Sequence, residues 1–418
     1  MCVVTGSWAN SAYVFAENLG VPREQVVVLP SDFNLWSRER ALSFAPEVVG
    51  EVIRSLTRQE QPRDTKTEEL ESFEGKDPAA LESLFLENGW TDGFPIVLPT
   101  QDRVQAMVAA VQREPHELVA VLPPLWRAAT VEKLAVNAVM AGCRPEYYKV
   151  ISAAVEAMAD PAFDLLAQAV CSSSSTPMFI LNGPVRHSLK LNAGYSVFGS
   201  IAHANATIGR ALRLIRLNVG GQIPGVTDAS TFGYAGGHSL CIAEDEEHNP
   251  WQPLHVQRGF RAEDSTVTVA AVITFQNMCH QRVKEIDSRL TVIASGIAQM
   301  GYRDFGCDPL DVGYVIVVLA PAYAQLFADA GYSLRDMQIA LRDRAKLGLD
   351  LFPEECLPNL ERGGRIKDGY VYSVAHPEQI VIIVAGGYNG AAVGTEPAIV
   401  MHTNHQDWKI VTKRIHDI

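Results

Sequence analysis

Short continuous apolar runs alternate along this chain with segments whose apolar residues recur every three or four positions. That alternation predicts buried strands set between amphipathic helices. At the N-terminus, CVVTG (2–6) and QVVVLP (25–30) read as strands and Asn10–Leu19 as a helix. Arg38–Leu56 reads as a second helix, with apolar positions at Leu42, Val48, Val49, Val52 and Ile53. Two strands and two helices do not easily close a core. Residues 1–57 are therefore expected to be an α/β half-domain that packs on the rest of the chain or lacks a part preceding Met1. Residues 58–77, dense in charge and poor in apolar side chains, have linker composition.

Residues 78–418 are expected to form the main α/β domain, with mixed sheets and flanking helices. Helices are predicted at 79–89, Asp102–Arg113, Thr130–Met140 and Pro145–Met158, with Thr130 as N-cap but no capping box. Asn205–Asn218 is the most periodic helix, with Ile208, Leu212, Ile215 and Val219 in register. Further helices are expected at Lys284–Met300, Pro321–Ala330 and Ser333–Lys346. VAVLPP (119–124), FILNG (179–183), VTVAAVITF (267–275), YVIVVLA (314–320) and QIVIIVAGG (379–387) read as strands. There is no internal repeat.

Composition narrows the classes of function. With 418 residues, 47% of them hydrophobic and 20% charged, the chain suits a soluble globular protein of two or three domains. A formal charge of -13 without a basic run argues against nucleic acid. The apolar runs fall short of the roughly 18–20 residues of a membrane helix, and the N-terminus lacks signal-peptide character. Seven cysteines without a CxxC pair suit a reducing compartment, so a cytoplasmic protein is expected.

Candidate chemistry concentrates between His203 and Gly259. Arg210 and Arg213 stand three residues apart on one face of a helix, with Asn205 and Thr207 on the same segment. Forked guanidiniums suit the carboxylate or phosphate of a small substrate, and Asp92 in the WTDGFP turn is a further binding candidate. The competing reading pairs these arginines structurally with Glu244, Glu246 or Glu247. His238, Cys241, His248 and His255 carry donor types for a divalent metal, although their spacing matches no established motif. Alternatively Cys241 is a nucleophile with Glu244, Glu247 and His255 as acid–base groups, or simply a packed small hydrophobe. Cys143, beside Arg144, is a second candidate thiol. NVGGQIPG (218–225) caps a helix rather than cradling phosphate. AGGYNG (385–390), after a predicted strand, is better placed to approach a ligand.

GWTDGFPIVLPT (89–100), AVNAVMAGCRPEYY (135–148), NATIGRALRLI (205–215) and CIAEDEEHNPWQPLHVQRG (241–259) resemble the second domain of the UGSC-motif (seleno)protein family. The similarity covers most of residues 78–400. Residues 1–57 resemble the C-terminal half of that family's first domain, and the Sec/Cys-Gly-Ser-Cys motif itself is absent. The resemblance implies thiol- or selenol-linked chemistry in full-length members. Taken with the residues, it leads to an enzyme acting on a small anionic or polar substrate through thiol-linked redox or carbon–sulfur chemistry. A metal-assisted lyase or hydrolase is the alternative. A non-catalytic subunit, whose half-domain docks a partner that supplies the missing motif, is the other; a homo-oligomer is also expected.

Overall fold

Each strong strand of this protein divides its side chains between two cores, as the apolar runs require. A computed structural model of the chain describes residues 2–6, 9–18, 23–33, 36–57, 72–73, 77–199, 201–279, 283–301, 313–354, 357–362, 364–388, 398–403 and 409–416. Most of the expected linker, and Asn389 and Gly390 of the AGGYNG segment, lie outside the described residues.

The N-terminal unit comprises β1 (Cys2–Thr5), α1 (Ala9–Asn18), β2 (Val26–Leu29) and α2 (Arg38–Thr57). β1 and β2 form a two-stranded parallel sheet. Ala12, Ala16 and Val26 make a small core under it.

The rest opens with α3 (Pro78–Glu87), α4 (Gln101–Ala109), the hairpin β3 (Leu118–Leu122) and β4 (Arg127–Thr130), then α5 (Val131–Met140), α6 (Tyr148–Met158) and α7 (Leu165–Val170). Thr130 caps α5 as expected, its Oγ1 accepting the N–H of Lys133 at 3.4 Å. There follow β5 (Thr176–Asn182), α8 (Val185–Ser188), α9 (His203–Asn218), β6 (Cys241–Ala243), α10 (Leu254–Gln257), β7 (Thr266–Val272) and β8 (Gln276–Met278). The last stretch holds α11 (Ile286–Gly301), β9 (Val315–Leu319), α12 (Pro321–Asp329), α13 (Leu334–Arg344) and β10 (Lys346–Gly348). It continues with α14 (Leu357–Arg362), β11 (Ile366–Lys367), β12 (Tyr370–Tyr372), β13 (Ile380–Val384), β14 (Ala398–His402) and β15 (Val411–Arg414).

Two four-stranded mixed sheets dominate, in the orders β15-β7-β5-β6 and β13-β9-β14-β8. In each, one pair is parallel, β5 with β6 and β9 with β13; the remaining pairs are antiparallel. Met178 and Ile180 of β5, Ile242 of β6, Ile316 and Val318 of β9, and Val381 and Ile383 of β13 meet in one core between the sheets. The alternate residues point away. Phe179, Leu181, Cys241 and Ala243 pack on α5, α6 and α9, while Val315, Val317, Ile380 and Ile382 pack on α11, α12 and α13. The order of layers is thus helix, sheet, sheet, helix, an α/β fold. Strands buried on both faces explain why the runs show no polar alternation. Among the described residues, no helix is long and apolar enough to cross a membrane.

Candidate functional site

The helix α9 organises the richest polar surface. Its apolar side, including Ile208, Leu212 and Ile215, is buried in the helix-layer core, which turns Thr207, Arg210 and Arg213 toward the segment 91–97 and the loop before β6. Arg210 donates to Asp92 through Nε at 3.0 Å and Nη2 at 2.8 Å, and to the carbonyl of Pro95 at 2.9 Å. The Asp92 carboxylate is fully buried. Burial pushes its pKa up, but the hydrogen bonds and charge of Arg210, with help from Arg213, more than offset this and hold it below the ordinary value. Arg210 is therefore occupied.

Arg213 is placed differently. Its Nη1 lies against Nδ1 of His238, and among the described residues no carboxylate lies within ion-pair distance of it. A guanidinium only donates, so Nδ1 of His238 is the accepting nitrogen of a neutral ring. Burial, and then the charge of Arg213, lower the His238 pKa. Phe94 meets the same imidazole edge-on, with ring centroids 4.8 Å apart. Behind Arg213, Arg216 is held through Nε and Nη2 by the uncharged Gln222 at 2.9 and 2.7 Å. Burial, opposed in part by Asp228, brings the Arg216 pKa down to about 10. Gly209 makes this arrangement feasible, because a Cβ there would collide with Oγ of Ser239 and stand 3.1 Å from its Cα. The loop carrying His238 can approach α9 only across a glycine.

The other expected site residues lie elsewhere. Asn205 is fully buried and structural; it accepts from Asn192 N at 2.8 Å and donates to the carbonyl of Cys241 at 3.1 Å. Thr207 donates to the His203 carbonyl at 2.8 Å. Cys241 opens β6 and packs in the helix-layer core, where burial pushes its thiol up to about 12. Cys143 is also pushed up to about 12 by burial against the pull of Thr207 and Arg210, and the neighbouring Arg144 is not among the groups that move it.

The acidic stretch has a partner that sequence reasoning missed. Arg186, 7% exposed, forks onto Glu247 at 2.9 and 2.9 Å and reaches Glu246 at 3.0 Å. The structural pairing expected for Arg210 or Arg213 thus belongs to Arg186, which stands alone between Lys149 and Lys190 as a basic residue just after a strand. Its hydrogen bonds hold Glu247 down at about 2, as fits a carboxylate engaged in an ion pair. Glu244 is fully buried and accepts from Asn182 at 2.7 Å, Asn249 at 2.8 Å and Leu254 N at 2.8 Å. Burial outweighs those bonds and raises it to about 7. His255 is buried with its Nδ1 3.9 Å from Glu246. His248 is held by Asp245, at 2.9 Å. The set His238, Cys241, His248 and His255 is not drawn together: among the described residues, no three His, Cys, Asp or Glu side chains are grouped to hold a metal ion. The residues that look like neighbours in sequence lie at both ends of β6 and within it.

The serine run 172–175 is a packed loop, Ser174 bonding Ser230 at 2.9 Å. Trp251 donates its ring N–H to the Tyr332 carbonyl at 3.0 Å and packs against the second helix layer.

No protein-family model and no curated protein matches the chain.

Proposed function

We propose that the chain is an enzyme that binds the anionic group of a small substrate at Arg213 and moves a proton there with His238. The observation that carries this reading is the contrast between two arginines one turn apart. Arg210 is neutralised by a buried carboxylate, whereas Arg213 faces a neutral imidazole. An uncompensated, half-buried guanidinium attracts a carboxylate or phosphate in bidentate fashion. Binding of that anion would draw the Arg213 guanidinium off Nδ1 and offset the field of Arg213 and Arg210 that lowers the His238 pKa, so the freed nitrogen would become a better proton acceptor once substrate is present. Phe94 closes one side of the ring and limits its motion. Thiol chemistry has less support in this geometry, since burial pushes both candidate thiols, Cys143 and Cys241, up to about 12.

Calorimetric titration with small carboxylates and inorganic phosphate tests the proposal. Arg213→Ala is expected to weaken binding at least tenfold, and His238→Ala to spare binding while abolishing turnover of the substrates so identified. Equal affinity in wild type and Arg213→Ala would sink it.

A second reading, the docking of another polypeptide, rests on the N-terminal unit. There β1 and β2 pair only with each other among the described residues. Leu42, Val49, Ile53 and Leu56 of α2 are all more than half exposed, and apolar stripes of that kind mark interaction surfaces.

A further inference from the structure

The two parallel strand pairs, β5 with β6 and β9 with β13, end side by side. Asp245 donates its backbone N–H to the Val384 carbonyl at 2.8 Å, and Gly386 donates to the Ala193 carbonyl at 2.8 Å. The Asp245 bond ties the exit of β6 to the end of β13, and the Gly386 bond ties the exit of β13 to the loop before α9, at the carboxyl ends of these strands, where open α/β sheets keep ligand crevices.

At that edge Asp245, 13% exposed, grips Nδ1 of His248 with both carboxylate oxygens, at 2.9 and 3.0 Å. A carboxylate only accepts, so Nδ1 carries a proton, and in the neutral tautomer so fixed Nε2 holds the free lone pair. His248 is about half exposed. The Tyr388 ring stands 5.3 Å from the imidazole at a tilt of 39° and is itself half exposed. Tyr195 donates its hydroxyl to the Tyr388 carbonyl at 3.0 Å. A Cβ at Gly387 would collide with the Tyr195 ring, so this aromatic wall is built over a glycine. Asp245, Glu246 and Glu247 follow one another at this edge, with Arg186 bonded to Glu246 and Glu247; the excess negative charge repels anions.

From this juxtaposition we infer a second site, at which His248 oriented by Asp245 receives an uncharged hydroxyaromatic compound whose ring lies against Tyr388. The acceptor nitrogen needs an O–H donor, the exposed tyrosine face takes a ring in offset contact, and the acidic surroundings select a neutral molecule. The hydroxyl keeps its proton and donates a hydrogen bond to Nε2, while Asp245 fixes the tautomer in which that nitrogen accepts. This site lies at the opposite end of β6 from Arg213 and does not depend on it.

The test is titration of the full chain with phenol and resorcinol, followed by calorimetry and by the Nε2 resonance of His248, with benzoate as the charged control. Resorcinol is expected to bind and shift that resonance. His248→Ala and Tyr388→Ala should each weaken binding at least tenfold, Arg213→Ala should leave it unchanged, and benzoate should not compete. Unaltered thermal unfolding of both variants excludes loss of fold. Absence of binding, equal affinity in His248→Ala, or competition by benzoate overturns the inference. Loss of resorcinol binding in Arg213→Ala does so too, because it moves the compound to the other site.

Discussion

Arg210 and Arg213 are indistinguishable as sequence, both arginines on the polar face of one helix, yet their roles separate on a single contact. Asp92, 118 positions earlier, lies in a turn that local chemistry already explains, so nothing in the sequence singled it out as the partner of one arginine and not of the other. The consequence is measurable. Removing Arg210 leaves a fully buried carboxylate unpaired, and Arg210→Ala should destabilise the fold by about 3–5 kcal/mol in urea denaturation. Arg213→Ala breaks no ion pair and should stay within about 0.5 kcal/mol of wild type. Equal losses in both variants would show that Arg213 is structural too, and would remove the basis for the anion site. The cysteines teach the converse. Leu240 and Ile242 beside Cys241 already pointed to a buried strand position, and the packed thiol agrees with that plainer reading.

At the scale of elements, α9 was legible because its buried residues keep helical spacing, although it begins at His203, two residues before the expected start. β6 showed only as the buried position that Leu240 and Ile242 mark around Cys241, since three residues carry too little pattern to give a strand its bounds. β14 and β15 escaped notice; β15 is a four-residue run with a polar half, paired only to β7 in its sheet. The close approach at Gly209 is likewise invisible in sequence, because a glycine inside a helix is usually only a weak point. Gly209→Ala would improve helix propensity yet push Ser239 outward. A net loss of about 1–3 kcal/mol is expected from the overpacking, together with a displaced His238 and weaker anion binding. A variant that is more stable and binds normally would show that the loop yields without effect on the site.

For the whole molecule, the apolar runs announced strands buried on both faces but could not say which run faced which. VTVAAV and IVIIV read alike, and only the order of pairing sends one to each sheet. That burial also shapes the response to pH. Glu244 titrates in the fold at about 7, above its ordinary 4.5, so the folded state binds the extra proton between those values. Stability is then fullest below pH 4.5 for this group and declines as pH rises toward 7, by about 3 kcal/mol. His402, fully buried, has its pKa lowered to about 3 from 6.5 by burial. It acts oppositely: its contribution is present above 6.5 and lost as pH falls toward 3. Between pH 4.5 and 6.5 the two slopes oppose and nearly cancel, so the predicted profile is a plateau that falls away below 4.5 through His402 and above 6.5 through Glu244. Urea unfolding from pH 4 to 8 should show it, and Glu244→Gln should turn the plateau into a rise with pH up to 6.5. A plateau that persists in that variant would show that Glu244 does not titrate there.

β6 joins the two imidazole ends of the molecule and behaves as a strut. It is three residues long, roughly 10 Å at the rise of extended backbone, hydrogen-bonded to β5 along its length and packed on both faces. Extended chain has no slack to give, and close-packed interiors pass displacement on without absorbing it. A ligand that draws the His238 segment toward Arg213 must either break the pairing with β5 or carry Glu244 and the loop beyond it along the strand axis. Anion occupancy at one end should therefore register as a chemical-shift change at His248 on the other, with resorcinol affinity there unchanged, a mechanical link between two sites that share no side chain.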